Sequence, residues 1–210
     1  FYKYGWNLVT WDEGLVDESG EPTDGGYTND GLGRVYGGEL LIKKNADSDC
    51  PRWLHAQKCF GWISYTLMRS ERRDHPGESW RKFEFDQTHI LTVVLSVLWA
   101  RGWQAGIRFR LASGNPTTGF AGGLLNTDYN YYIPVANQPY SDRLPLFHQL
   151  DIRIDKKWVF QKWMLSLYLD IQNVYNYQVT EFRLWNFNYT RSSSLNGLPI
   201  IPSLGLKGAF

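Results

Sequence analysis

Leu198-Pro-Ile-Ile-Pro-Ser-Leu-Gly-Leu-Lys-Gly-Ala-Phe210 closes the chain and decides how the rest is read. Every second residue suits an apolar medium: Leu198, Ile200, Pro202, Leu204, Leu206, Gly208 and Phe210. Ser203, Gly205 and Lys207 stand between them. A period of two describes a strand with two unlike faces.

The same alternation recurs upstream. Leu165, Leu167, Leu169 and Ile171 oppose Ser166, Tyr168, Asp170 and Gln172. Leu150, Ile152 and Ile154 oppose Gln149, Asp151, Arg153 and Asp155. Trp103, Ala105, Ile107, Phe109 and Leu111 oppose Gln104, Gly106, Arg108 and Arg110. Leu91, Val93, Leu95, Val97 and Trp99 oppose Thr92, Val94 and Ser96, and Tyr2, Tyr4, Trp6 and Leu8 oppose Lys3, Gly5 and Asn7. Eight strand-length segments result: Phe1–Trp11, Arg34–Lys44, Phe60–Ser70, Phe85–Trp99, Trp103–Ala112, Gln149–Lys156, Trp163–Asn173 and Leu198–Phe210. Most reach the ~9–11 residues of a tilted transmembrane strand, against ~5–6 in soluble sheets. The expected class is all-β, an antiparallel transmembrane barrel portion.

Composition narrows the functions. A formal net charge of +1 over 210 residues gives no bulk attraction to nucleic acid. The 10 Trp and 13 Tyr suit places where one end of a ring is dry and the other wet. No window offers the ~20 apolar residues of a spanning helix; a barrel escapes that test because half of each strand faces a polar lumen. Phe1-Tyr-Lys-Tyr4 carries no signal-peptide pattern. The chain opens inside a strand pattern, so it is expected to be the carboxyl-terminal part of something longer.

Connections alternate in length. Trp11–Arg34, Ser70–Phe85, Ala112–Gln149 and Asn173–Leu198 are long, whereas Ala100-Arg-Gly102 and Lys157–Lys162 are short. Long loops on one side and tight turns on the other are the outer-membrane pattern, the long ones facing outside. Asn45–Cys59 departs from it and carries both cysteines, Cys50 and Cys59. A disulfide suits an oxidising periplasm; free thiols, or a metal held with His55, are the alternatives, the latter short of a four-ligand set.

The ionic faces separate a membrane barrel from a soluble one. Arg108, Arg110, Asp151, Arg153, Asp155 and Asp170 lie on the polar faces of three strands in both signs. They suit a wet lumen crossed by ion pairs, or the outside of a soluble barrel. The opposite faces are aliphatic, with Trp99, Trp103, Trp158 and Trp163 at the short turns like an aromatic girdle. A charge on the lipid face would cost about 2–4 kcal/mol at mid-membrane. These faces carry almost none centrally, His89 being the nearest exception.

Asn173-Val-Tyr-Asn176, after Leu169-Asp-Ile-Gln172, resembles the N-L-F-N segment near the end of TonB-dependent outer-membrane receptors. Phe147-His-Gln-Leu-Asp-Ile-Arg-Ile-Asp155 resembles the strand before that motif. Phe109-Arg-Leu-Ala-Ser-Gly-Asn-Pro-Thr117 resembles the approach to a long outer loop, and Asn29-Asp-Gly-Leu-Gly-Arg-Val-Tyr-Gly-Gly-Glu39 a strand entry. Pro202 to Phe210 resembles the terminal strand, whose final Phe is the assembly signal read by the barrel assembly machinery. Five such motifs in order cover most of the chain.

The resemblance implies that residues 1–210 supply the last eight strands of a receptor barrel in the bacterial outer membrane. A plug domain would sit inside the barrel and be moved by TonB. Neither a plug nor a TonB box is visible in this chain, so contact with TonB would run through a plug outside it.

Other site candidates have plainer readings. Gly31-Leu-Gly-Arg-Val-Tyr36 imitates a dinucleotide loop, but Tyr36 replaces its third glycine and a strand follows. His55, His75, His89 and His148 lack paired ligand spacing. Neither a catalytic site, a cofactor nor a metal is expected. Tyr129, Tyr131, Tyr132 and Tyr140, beside Asn126, Asn130 and Asn137, suit ligand capture or a loop packed on itself. The loop Tyr177–Asn196, with Phe182, Trp185, Phe187 and Tyr189, has the same two readings, and its first half is expected to extend the seventh strand as a hairpin. The functional expectation is the barrel region of a receptor taking up a scarce nutrient such as a siderophore or glycan. The alternatives are a self-closing eight-stranded barrel serving as anchor or adhesin, and a soluble ligand carrier.

Overall fold

The computed structural model describes residues 1–12, 14, 25–45 and 50–210. Its eight long strands are β1 (Tyr2–Asp12), β2 (Gly26–Lys44), β3 (Lys58–Arg73), β4 (His89–Leu98), β5 (Trp103–Ala112), β6 (Phe147–Val159), β7 (Met164–Gln172) and β8 (Ile201–Ala209). Each pairs antiparallel with its sequence neighbours, and the sheet runs from β1 to β8 in chain order. The chain is therefore all-β. A short strand, Arg81–Lys82, adds to β3.

Among the described residues β1 pairs only with β2 and β8 only with β7. The sheet does not close on itself, so the self-closing eight-stranded barrel is not what this chain forms alone.

Register confirms two unlike faces. Leu204 and Leu206 lie opposite Leu169 and Leu167, and Ile171 opposite Ile152. Ile152 faces Ile107, which faces Leu95, while Ile63 sits between Val93 and Ile42. This aliphatic face is open: Leu204 and Leu206 are 74% and 71% exposed, and Leu40, Ile42, Ile63, Ile107 and Ile154 are exposed too. Leu165, Leu167 and Leu169 are not enclosed, as an apolar barrel interior would require. Among the described residues only Cys59, Val97 and Ala112 are buried apolar side chains, against six buried polar ones. The sheet is held by its ladders rather than by a hydrophobic core, and its hollows open toward the ionic face.

Several boundaries differ from the sequence expectation. β2 begins at Gly26 rather than Arg34, because residues 26–31 ladder onto the end of β1. β4 begins at His89 rather than Phe85, since the chain turns at Asp86, whose N–H donates to the Phe83 carbonyl. A register irregularity around Asn7 (φ 56°) puts Leu8 opposite Gly31, on the other face from Tyr4. Within 113–146, Phe120–Asn126 pairs with Tyr131–Ala136 and Pro116–Thr117 with Asp142–Arg143. Residues 177–196 do form a hairpin, Thr180–Trp185 with Ser192–Asn196, but as a sheet separate from β7.

The short turns lie at one end. In Ala100–Gly102, Gly102 has φ 76°, and a Cβ there would fall 2.2 Å from the Lys157 carbonyl. Trp99, Trp103, Trp158 and Trp163 gather at this end, Lys156 lying 5.0 Å and 5.5 Å from the Trp103 and Trp158 rings. Cys50 and Cys59 are joined by a disulfide, their Cα atoms 5.6 Å apart. Residues 46–49 of that connection lie outside the described ones, as do residues 13 and 15–24 of the expected Trp11–Arg34 loop. His55 Nδ1 lies 3.1 Å from the Trp53 carbonyl.

Candidate functional site: the ionic face and the loops above it

Strand alternation carries the expected ionic residues to one face, and register decides which of them meet. Asp151 lies opposite Arg108 and Arg153 opposite Asp170. Arg108 reaches Asp151 at 2.6 Å, and Gln149 also donates to it at 2.7 Å. Arg153 lies 2.9 Å from Asp155 and 3.5 Å from Asp170, with its guanidinium 4.1 Å from the Tyr168 ring centre. Five of the six expected lumen charges thus form two ion-pair groups. Arg110, the sixth, lies 5.4 Å from the Phe147 ring centre.

Above these charges a cavity of about 430 Å³ opens between the sheet and the loops. Phe85, Gln87, Arg110, Asn115, Phe147 and Glu181 help to line it. Aromatic planes, an amide pair (Gln87 Nε2 to Asn115 Oδ1, 3.1 Å), a guanidinium and a carboxylate thus border one space. Such a mixture suits a polar organic ligand.

The tyrosines do not converge. Tyr129 and Tyr131 stand exposed at one hairpin tip, their rings 6.4 Å apart. Tyr132 packs on Phe187 of the other hairpin at 5.6 Å, and Tyr140 faces Arg81 at 5.2 Å. Phe120 meets Trp185 and Tyr189 at 5.3 Å and 5.0 Å. Rings from 120–136 and 180–196 therefore fasten the two hairpins to each other. None of the four tyrosines lines the 430 Å³ cavity.

The sequence reading missed the residue that orders these loops. Asp86 is 0% exposed and accepts hydrogen bonds from the Ser70 N–H at 2.7 Å and the Thr88 hydroxyl at 3.1 Å. The Arg143 guanidinium pairs with the Asp86 carboxylate and donates to the Asp86 and Gly114 carbonyls at 2.6 Å and 2.9 Å. One buried carboxylate thereby ties β3, the approach to β4 and the 113–146 segment together. Nothing local in the sequence links two residues 57 positions apart.

The two asparagines of Asn173-Val-Tyr-Asn176 act as chain clamps. Both take left-handed φ values, 52° and 51°, which asparagine tolerates better than most residues. The buried Asn173 accepts from the Tyr177 N–H at 2.9 Å and donates to the Tyr177 and Leu198 carbonyls at 3.1 Å and 3.3 Å. Asn176 accepts from the Ile200 N–H at 3.0 Å. The pair fixes the exit of β7 to the entry of β8. Close by, Tyr175 and His148 lie 2.7 Å apart. Partial burial, aided by Tyr177 and Asp151, raises the Tyr175 phenol above its ordinary value.

Among the described residues no group of three or more His, Cys, Asp or Glu side chains could hold a metal. Phe210 is fully exposed. Compared with family models, with curated proteins and with solved structures, the chain finds no match.

Proposed function

We propose that this chain is wall and outer loops of an outer-membrane barrel of the TonB-dependent receptor kind, serving energy-coupled uptake of a scarce nutrient. One observation carries the reading. An apolar face, aromatic on β1 and aliphatic on the other strands, crosses eight antiparallel strands and is largely open, while its reverse is ionic and hollowed. Water does not tolerate so extensive an apolar surface uncovered, and hydrocarbon on one side with an aqueous lumen on the other satisfies both faces. The N-V-Y-N segment and its four companion motifs supply the receptor half of the reading. The cavity beside Arg110 and Glu181 is the candidate ligand contact on the wall.

The free edges of β1 and β8 favour this over a complete eight-stranded anchor. Unpaired backbone groups in lipid cost several kcal/mol each, so further strands must pair with both edges. The test is fractionation of the tagged protein from its host, with crosslinking to TonB. Recovery in carbonate-resistant outer membrane with a TonB adduct is the expected result. Recovery in the soluble fraction without detergent overturns the membrane reading. Membrane recovery without an adduct overturns energy coupling and leaves a passive barrel.

A further inference from the structure

The aliphatic face does not end where its apolar band ends. Along β2 it runs Ile42, Leu40, Gly38 and Tyr36, and then reaches Arg34. Along β3 the matching residues are Ile63, Tyr65, Leu67, and then Arg69, Glu71 and Arg73. Register puts Tyr36 opposite Arg69, Arg34 opposite Glu71, and Lys82 opposite Glu71 from the far side. Four cations and one carboxylate therefore share the outward face just beyond the apolar band, on the long-loop side.

Trp80 makes this ledge a built surface. The Arg34 and Arg73 guanidiniums lie 4.3 Å and 4.9 Å from its ring centre, and Tyr4 meets it edge-on at 6.4 Å. Glu71, nearly buried, binds Arg34 at 2.6 Å and Arg69 at 3.2 Å, holding both in place while neutralising only one charge. Arg73 and Lys82 make no ion pair among the described residues, and Arg73 Nε is buried without a hydrogen-bond partner. A surplus of about three positive charges stands directly over an apolar wall.

We infer that this ledge binds the phosphate groups of lipid headgroups in the leaflet facing the long loops. The occupant must be amphiphilic, because the surface below the cations is aliphatic and continuous with them. It must carry concentrated negative charge, because three cations remain after Glu71 is counted. Guanidiniums held in fixed planes suit tetrahedral phosphate oxygens better than a diffuse anion. The inference rests on the membrane reading above, and deepens it by naming a lipid partner.

The experiment reconstitutes the barrel with the strands that complete both of its edges into phosphatidylcholine vesicles with and without phosphatidic acid, then measures by native mass spectrometry which lipid stays bound on release into detergent. The parent should retain phosphatidic acid over phosphatidylcholine. Each cation near the surface is worth about fivefold, so Lys82→Gln should lose about that much. Arg34→Gln with Arg73→Gln and Lys82→Gln should lose on the order of a hundredfold. Lys207→Gln, on the ionic face, should lose none. Among the described residues Lys82 has no ion-pair partner, so its single variant keeps the test valid even if the triple variant does not fold.

Equal retention by parent and Lys82→Gln overturns the ledge while membrane insertion still stands. Displacement of the lipid by millimolar inorganic phosphate alone would show a free-anion site and overturn the lipid assignment. Failure of that completed barrel to enter phosphatidylcholine vesicles at all overturns the membrane reading and the ledge together.

Discussion

Arg108 meets Asp151 on the ionic face of the sheet, and Arg143 meets Asp86 among the loops. The residue types and the contact are the same, but the surroundings differ. Around Arg108, β5 and β6 are already aligned by an uninterrupted ladder from Ala112 to Trp103, and the Arg108 side chain is 50% exposed. Around Arg143 the flanking ladder is two residues long, and the carboxylate is sealed from water. Where backbone pairing positions the chain, an ion pair only colours the surface. Where pairing runs out, a buried ion pair does the positioning.

The largest test removes the buried anion. Asp86→Ala should destabilise the loop end by roughly 3–4 kcal/mol, because the Arg143 guanidinium loses its buried counter-charge and the Ser70 N–H loses its acceptor. Hydrogen exchange should rise across 113–146 while the β5–β6 amides stay protected. If β5 and β6 opened together with the loops, the two regions would be one cooperative unit and the contrast would be lost.

The second test compares the two faces of the sheet. Leu169 sits between Ile154 and Leu204 on the aliphatic side, and Ser203 faces Asp170 on the other. Leu169→Arg should cost about 2–3 kcal/mol in urea titration of the vesicle-inserted protein, whereas Ser203→Arg should cost almost nothing. Equal costs would mean that the aliphatic face does not touch hydrocarbon.

Legibility in the sequence followed the same division. β5 was read to its last residue, from Trp103 to Ala112, because alternation alone determines a strand that ladders on both sides. The beginning of β2 was lost because Gly26-Tyr-Thr-Asn-Asp-Gly31 has the chemistry of a loop, and only its ladder with β1 makes it a strand. Leu8 was placed on the wrong face because a bulge shifts parity without leaving a mark in the pattern. The charges of the ionic face were legible as a group, and their pairings required register. Asp86 looked like one more acid in Phe85-Asp-Gln87, since burial among loops has no period. The four tyrosines were legible as a cluster in sequence only; in space Tyr129 and Tyr131 stand at a hairpin tip, Tyr132 packs on Phe187 and Tyr140 faces Arg81.

The third test falls between the regions, at the clamp joining β7 to β8. Asn173→Ala removes three side-chain hydrogen bonds and puts a poorly suited residue at φ 52°. A loss of about 1–2 kcal/mol is expected, seen as faster exchange of the Tyr177 amide. Asn173→Gly should recover the backbone share but not the hydrogen bonds. Full recovery by glycine would reduce the motif to a turn requirement.

The smallest effect is the one that fixes the scale of the comparison. Arg108→Gln breaks the pair with Asp151, yet Asp151 keeps the Gln149 amide at 2.7 Å and the Asn173 N–H at 3.0 Å. The carboxylate is therefore not orphaned, and the lost partner was half in water, where such pairs contribute under about 1 kcal/mol. Urea titration should show almost no shift, and loop exchange should be unchanged. A loss as large as that of Asp86→Ala would mean that the ionic-face charges hold the strands, so that the sheet pairs and the loop pair serve one structural role.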